Sequence, residues 1–279
     1  MLRLIESSMA ALEHHLVLVA PPQLTTDAFN NVTADAFQRK QLIRDMQQLR
    51  GAIYLEEGNV KRHELTVDGR HRTPEDDKSW HILMTDGAGH IRSCALFLLH
   101  DRGATFDDLR SRHCPLVKDP VWRDKVTGAV QSEMTRAERE GLRFAELGGW
   151  AIQKERRGSA EGLMMALATY GLSQMLGGAL GITTANVAHS CSAILRRLGG
   201  AFLEHEGTTI PAYFDPRYNT QIDLLRFDSR RPSSKYAHLI EMVKQTLANV
   251  TVVADALDFP QVDDYHHTVT DMARPIYAA

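Results

Sequence analysis

The first strong pattern along the chain is helical. Between Ala36 and Glu57 the apolar residues recur at helical intervals, which predicts an amphipathic helix packed on the core. Two arginines, Arg44 and Arg50, are expected elsewhere on this helix. The residues expected on its apolar face are Phe37, Leu42, Met46 and Leu49.

Strand patterns follow this helix. In SWHILMTDGAGHIRSCALFLLHD two apolar runs flank Asp86-Gly87-Ala88-Gly89, which predicts a β-hairpin. Residues 103–143 are polar and mixed, so we expect short helical or irregular pieces there. An apolar run from Phe144 to Ile152, in which Glu146 is the one charged residue, predicts another strand.

A crossover pattern occupies the second half. After a short basic turn we expect a helix from Ser159 to Leu176, ended by two glycines. A β-branched run (GITTANV), a short helix (SAILRRLGG), two strands around Asp215-Pro216 and a helix from Tyr236 to Leu247 follow. Strand, helix, strand, helix, strand indicates the α/β class. The expected division is an N-terminal extension (1–40), a principal domain (41–228) and a C-terminal helix and tail (229–279).

Composition narrows the function classes. The chain has 279 residues, of which 43% are hydrophobic, enough for a sizeable core. A net charge of −3 gives no general attraction to nucleic acid, so no nucleic-acid partner is expected. Cys94, Cys114 and Cys191 are odd in number and lack C-x-x-C spacing, which argues against a disulfide scaffold or a zinc site. No metal is expected. The apolar patch Leu16–Ala20 is too short for a membrane span, and we expect a cytoplasmic protein.

The basic turn before the predicted helix has the composition of an anion site. The first amides of a helix have no partners inside it, and the helix dipole adds partial positive charge there. Gly158 and Ser159 are small enough to let a phosphate approach, and Arg156 and Arg157 add charge-assisted contacts. The glycine-rich P-loop and dinucleotide motifs are absent from the sequence. On this turn alone, an ordinary solvated turn is equally compatible with the sequence.

The turn also carries a resemblance. ERRGSA, between a strand and a long helix, resembles the Q/R-x-x-G-x-G/A signature of the GCN5-related N-acyltransferase (GNAT) superfamily, with Glu155 at its first position. The resemblance implies a central mixed, mostly antiparallel sheet flanked by helices. It also implies that the turn holds the pyrophosphate of an acyl carrier. The tyrosine that many members use corresponds to Leu195 here. The residues implied in carrier binding are Ala151, Ile152, Gln153, Arg156, Arg157, Gly158, Ser159 and Ala160.

Other stretches are similar to one branch of this superfamily. QQLRGAIYLEEG, FAELGGWAI and LRRLGGAFLEHEG resemble the acyl-homoserine-lactone (autoinducer) synthases and the N-acyl amino acid synthases, over roughly Gln41 to Asp228. Gly149 stands where the autoinducer synthases usually carry an arginine. The resemblance implies transfer of a long-chain acyl group from acyl-CoA or acyl carrier protein to the amine of an amino acid or a related small molecule. It also places Tyr54 beside the amine.

The strand glutamate is the candidate catalytic residue. Burial of an unpaired carboxylate is costly, so Glu146 is expected to be paired, exposed on an edge, or placed in a wet cleft for use. Partial desolvation raises the pKa of a carboxyl group toward neutrality, which suits a general base for an amine. The resemblance implies the same role. A structural ion pair with an arginine is the alternative.

Two other function classes stay open. An acetyl-CoA-dependent N-acetyltransferase would have a narrow acyl tunnel closed near the thioester. A non-catalytic acyl-binding module would have Glu146 locked in an ion pair and no open channel. If the donor is an acyl carrier protein, which is acidic, a basic surface is expected to dock it. The candidates for that surface are Lys154, Arg156, Arg157, Arg196 and Arg197.

Overall fold

The computed structural model describes residues 15–24, 27–188 and 190–257. Five α-helices lie in these ranges: α1 (Ala36–Glu56), α2 (Arg123–Arg139), α3 (Glu161–Met175), α4 (Cys191–Leu198) and α5 (Ser234–Leu247). The strands of the main sheet are β1 (Leu16–Val19), β3 (Val32–Ala34), β4 (Trp80–Thr85), β5 (Ile91–Leu99), β6 (Arg143–Ile152), β7 (Ala179–Asn186), β8 (Ala201–Phe202), β11 (Tyr213–Asp215), β12 (Thr220–Asp228) and β13 (Thr251–Ala254). Two small sheets pair β2 (Gln23–Leu24) with β14 (Ala256–Leu257) and β9 (Glu204–His205) with β10 (Thr208–Thr209).

The main sheet has the order β11-β12-β7-β6-β5-β4-β1-β13-β3, and β8 pairs with β12. Three neighbouring pairs are parallel: β6 with β7, β1 with β13, and β13 with β3. The other pairs are antiparallel. The expectation of a mixed, mostly antiparallel sheet flanked by helices is therefore confirmed.

Helices cover both faces of the sheet. On one face, α3 and α5 pack against each other and against strand residues such as Phe97 and Leu147. On the other face, α2 packs on Phe144 and Leu180, and α1 packs on Leu83. Because α3 lies between the sheet and α5, it is apolar around nearly its whole circumference, as a fully covered helix requires. Among the described helices, none is both long and apolar enough to cross a bilayer.

The helix predicted from Ala36, the hairpin around residues 86–89 and the last helix are confirmed as α1, β4–β5 and α5. The helix predicted from Ser159 begins two residues later, at Glu161. The prediction that Phe37 belongs to the apolar face of α1 is wrong, since Phe37 is 80% exposed. The helix instead buries Arg50, which is 1% exposed. Its charge can be buried because it forms an ion pair with Asp76.

The prediction of only short helical or irregular pieces in residues 103–143 is also wrong. They contain α2, a helix of 17 residues, in addition to short 3-10 turns. Its buried face consists of small residues, Val126, Ala129, Val130 and Ala137. A pattern judged on large apolar side chains does not detect such a face, although alanine is the strongest helix former.

The two ends of the described chain meet within the sheet. β1 pairs in parallel with β13, and Val19 lies opposite Val253. β1 lies in the stretch expected as an N-terminal extension and β13 in the stretch expected as a C-terminal tail, and both strands belong to the main sheet. Each strand has only four residues, too few for a strand period to be recognised in the sequence.

One irregularity of the sheet opens the site. β6 and β7 are paired from Arg143 opposite Ala179 to Leu147 opposite Thr183, and no pair is formed beyond that point. On its other edge β6 has a register shift against β5 between Cys94 and Leu96, typical of a β-bulge, and Gly149 there has a φ of +63°. A bulge bends its strand away from its neighbours. The ends of β6 and β7 therefore separate and leave a gap in the sheet.

Candidate functional site

The gap between β6 and β7 contains a cavity of about 420 Å³. It is lined from both faces of the sheet, by α1 on one side and by α4 and the turn before α3 on the other. Residues 148–152 of β6 run along it with one backbone edge unpaired by β7. The apolar side chains that line it are Ile53, Leu147, Ile152, Ile194, Leu195 and Ile222.

One end of the cavity lies at the start of α3. The backbone N–H groups of Gly158, Ala160, Gly162 and Leu163 have no hydrogen-bond acceptor among the described residues. Gly158, Ser159 and Gly162 line the cavity. The hydroxyl of Ser159 accepts a hydrogen bond from the Glu161 N–H at 3.2 Å. Free amides at a helix start are suited to bind a phosphate group.

Three cations lie at this end, and they differ in their partners. Arg156 is exposed and lines the cavity. Arg157 is half-buried, donates from Nε to the Ile152 carbonyl at 3.3 Å, and forms an ion pair with Glu57. Lys154 pairs with Glu56 at 3.3 Å. Arg156 is therefore the cation best placed to reach an incoming anion.

The opposite end is polar. We define the polar chamber as the part of the cavity lined by Arg50, Tyr54, His71, Thr73 and Arg110. Arg50 contacts both carboxylate oxygens of Asp76, at 2.9 and 2.7 Å, and donates to the His71 carbonyl at 2.6 Å. Burial raises the pKa of Asp76, but the charge and hydrogen bonds of Arg50 outweigh it and lower the pKa to about 2. Arg50 and Asp76 are therefore both charged, and together they add no net charge to the wall of the polar chamber.

Tyr54 and His71 face each other in this chamber. Their rings make an edge contact with centroids 5.3 Å apart, and the Tyr54 hydroxyl donates to the Trp150 carbonyl at 3.0 Å. Burial raises the pKa of Tyr54, so its phenol stays protonated. Burial and the charges of Arg50 and Arg110 lower the pKa of His71 to about 4. His71 is therefore neutral at pH 7 and able to accept a hydrogen bond from an amine.

Two glycines of β6 let arginines approach the strand. A Cβ at Gly148 would lie 2.6 Å from Nη1 of Arg110, and a Cβ at Gly149 would lie 3.3 Å from Nη1 of Arg50. Any larger residue at either position would displace a guanidinium group or the strand. The glycine pair is thus what allows both arginines to line the cavity.

For Glu146 the structure differs from the prediction of a general base in a wet cleft, both in the location of the carboxyl group and in its ionisation. It is buried and does not line the cavity. Its carboxylate accepts hydrogen bonds from the backbone N–H groups of Arg110 (2.7 Å) and Ser111 (2.9 Å) and contacts His100 Nε2 at 3.0 Å. Burial raises its pKa, but these hydrogen bonds and the charge of Arg110 outweigh burial, so the pKa is lowered. The raised pKa expected of a general base is wrong.

The other predicted site residues divide into two groups. Tyr54, Ala151, Ile152, Arg156, Arg157, Gly158 and Ser159 line the cavity. Gln153 and Ala160 do not line it: the Gln153 N–H pairs with the Arg92 carbonyl, and Ala160 is the N-cap of α3 and packs on the core. Leu195 does line the cavity, so no tyrosine is present at that point.

Several polar lining residues were not predicted, among them His71, Arg110 and Tyr218. These three come from connections between elements, where no periodicity marks them. Arg50 was visible in the LRGAIY stretch but was assigned no function. The predicted docking arginines Arg196 and Arg197 do not line the cavity, and Arg196 stacks over the Phe202 ring at 4.3 Å.

Comparison with known proteins identifies the fold. No protein-family model and no curated protein sequence matches the chain. Two solved structures of BjaI, a CoA-dependent acyl-homoserine lactone synthase, match it with a TM-score of 0.51 and 12% identity, over 89% of this chain and 95% of that chain. FeeM, an N-acyl amino acid synthase from uncultured soil microbes, matches with a TM-score of 0.45 and 11% identity, over 71% and 88%. The chain therefore has the GNAT acyltransferase fold in the form seen in BjaI.

Proposed function

We propose that this protein is an N-acyltransferase. It moves an acyl group from a phosphopantetheine thioester to the amine of an amino acid or a related small molecule. The observation that carries the proposal is the cavity through the sheet, which joins the free amides of α3 to the polar chamber. A donor and an acceptor entering from opposite faces would meet beside β6.

The donor binds along β6 in this proposal. Its diphosphate accepts hydrogen bonds from the free N–H groups before and within the first turn of α3, and Arg156 adds a positive charge beside it. Its pantetheine arm then runs along the edge of β6 that β7 leaves unpaired at residues 148–152, beside the Trp150 and Ile152 carbonyls, which already accept hydrogen bonds from Tyr54 and Arg157. BjaI, whose fold the chain shares, has been solved with isopentyl-CoA, which supports this class of donor.

The acceptor occupies the polar chamber. Its neutral amine attacks the thioester carbonyl, a carbon–nitrogen bond forms, the carbon–sulfur bond breaks, and the pantetheine sulfur leaves as a thiolate. The amine proton passes to solvent, and the thiolate takes up a proton from solvent. His71, which is neutral at pH 7, orients the amine by accepting a hydrogen bond. Glu146 acts as a positioning residue, since its two oxygens hold the backbone of Arg110 and Ser111.

The alternatives differ in the cavity they need. The apolar part of the cavity lining, which includes Leu147, Ile194 and Ile222, favours an acyl chain longer than acetyl. A non-catalytic module was expected to have Glu146 locked and no channel. Glu146 is locked, but the channel is open.

The test is a donor panel read by mass spectrometry. Purified protein is incubated with acetyl-CoA, octanoyl-CoA, palmitoyl-CoA and octanoyl carrier protein, each with a mixture of amino acids and simple amines. We expect N-acyl products with the longer CoA donors to exceed those with acetyl-CoA. Dominant acetyl transfer would favour the acetyltransferase alternative. Absence of both CoA binding and product would contradict the proposal.

A further inference from the structure

The polar chamber contains one arginine whose guanidinium donates no hydrogen bond to the residues that the structure describes. Arg50 is neutralised by Asp76 through two short contacts. The guanidinium of Arg110, by contrast, donates no hydrogen bond to the described residues. Two acids act on its charge: Glu75, with Nε and Oε2 4.0 Å apart, which is longer than a hydrogen bond, and Glu146, whose pKa the charge of Arg110 lowers.

The position of Arg110 is fixed from two sides. Its backbone N–H donates to Glu146, and the next N–H, of Ser111, donates to the other oxygen of the same carboxylate. Its side chain lies against Gly148, at a point where any Cβ would lie only 2.6 Å from Nη1. A buried carboxylate and a glycine therefore hold a half-exposed guanidinium group at the wall of the cavity. An arginine with donors left free in this way is suited to a carboxylate, because its planar fork matches both oxygens.

We infer that Arg110 binds the carboxylate of the acceptor, so that the enzyme acylates α-amino acids in preference to simple amines. The inference rests on the proposed function and adds the acceptor class and the residue that selects it. His71 and Tyr54 line the same chamber, which allows one small molecule to contact Arg110 with its carboxylate while its amine faces His71.

The test compares acceptors that differ in the carboxylate alone. Three sets are used: amino acids, their methyl esters, and the corresponding decarboxylated amines, such as tyrosine, tyrosine methyl ester and tyramine. For the wild type we expect kcat/KM to be highest with the free acids. Arg110→Gln should raise KM for the acids by about 10- to 100-fold, the effect of losing one charge-assisted pair, and leave the esters and amines within about threefold.

A matched control is available on the same turn. Arg112 is exposed, lies two residues from Arg110 and does not line the cavity, so Arg112→Gln makes the same charge change without touching the chamber. Arg112→Gln should keep the wild-type preference. Glu75→Gln removes one of the two carboxylates that act on the charge of Arg110 and should leave or lower the KM for the acids. Arg110→Lys should restore part of the preference for acids.

Binding measurements distinguish a failure of the inference about Arg110 from a failure of the proposed function. Titration of CoA by calorimetry should give the same Kd for the wild type and Arg110→Gln, since Arg110 is not at the diphosphate end. If CoA binds but amines and esters react as well as acids, or if Arg110→Gln weakens all three acceptor sets equally, the inference is overturned and the proposed function stands. If CoA-saturated wild type neither binds nor acylates any amino acid, the inference also fails. If CoA itself does not bind, the proposed function fails.

Discussion

Glu146 holds the backbone of Arg110 and Ser111 and does not itself line the cavity. As the one charge in an apolar run it was predicted to be catalytic, yet its carboxylate accepts two backbone N–H groups and contacts His100. The sequence could indicate that this carboxylate needed partners. It could not indicate which partners, because Arg110 lies 36 positions away along the chain.

Replacement of this carboxylate should cost stability in a pH-dependent way. We expect Glu146→Gln to lower the free energy of unfolding by about 2–4 kcal/mol at pH 7, because buried N–H donors lose a charged acceptor. The folded-state pKa of Glu146 is lowered, so its contribution is fully present above pH 4.5, its ordinary value, and is lost as the pH falls through the folded-state pKa.

Chemical denaturation of both proteins between pH 7 and pH 3 measures this gap, which should shrink below about pH 4.5. Glu138→Gln, at an exposed position of α2, is the control and should change stability by less than about 0.5 kcal/mol. A gap that stays constant with pH would show that the carboxylate charge does not contribute.

Gly149 is the residue on which the bulge depends. Its φ is +63°, and a Cβ there would lie 3.0 Å from the Leu96 Cβ. We expect Gly149→Ala to destabilise the protein by about 1–3 kcal/mol through backbone strain and crowding. Thermal and chemical denaturation measure this. Gly87→Ala, where no atom would lie within 4 Å of the new Cβ, is the control and should be near neutral. Equal effects of the two substitutions would contradict this account of the bulge.

Among the elements, those with many large apolar residues at regular spacing were predicted from the sequence. α1, α3, α5 and the β4–β5 hairpin are examples, since a buried face at a fixed period is visible in one chain. The split between β6 and β7 was not predictable. It depends on a register shift between β5 and β6, and register is decided by strand partners rather than by the strand's own residues.

A substitution at the start of α3 is expected to weaken CoA binding with little effect on the stability of the protein. Ser159→Asp keeps an acceptor for the Glu161 N–H, loses the hydrogen bond that the Ser159 hydroxyl donates to the Arg156 carbonyl, and places a negative charge beside the free amides. We expect CoA binding to weaken by about tenfold or more, while stability changes by no more than about 1 kcal/mol, because the favourable charge at the helix start offsets the lost hydrogen bond. Ser159→Asn, which is uncharged, should bind CoA close to wild type. Calorimetry and thermal unfolding of the three proteins measure both effects, and equal CoA affinities would argue against a diphosphate at this turn.

For the whole molecule, the site is assembled by the sheet from distant parts of the chain. Arg50 comes from α1, His71 and Arg110 from connections, and Gly149 from β6. The sequence predicted the basic turn and Tyr54 because local motifs mark them. It did not predict the polar chamber, since only the tertiary fold brings these residues together.

The pairing of β1 with β13, two strands far apart along the described chain, predicts a global stability effect. Val253 is fully buried in β13, between Val19 of β1 and Thr33 of β3. Val253→Ala should lower the free energy of unfolding by about 2–3 kcal/mol. Thr251→Ala, on the same strand but half-buried, should cost less than about 1 kcal/mol. Urea denaturation measures both; a neutral Val253→Ala would indicate that β13 is not part of the cooperative core.

The most direct test of the central claim is hydrogen–deuterium exchange with and without CoA. We predict that CoA slows exchange of the amides of residues 158–163, most of which have no acceptor among the described residues, together with those of residues 148–152 along β6. Protection elsewhere, or none at saturating CoA, would contradict the claim that the gap between β6 and β7 holds the acyl donor.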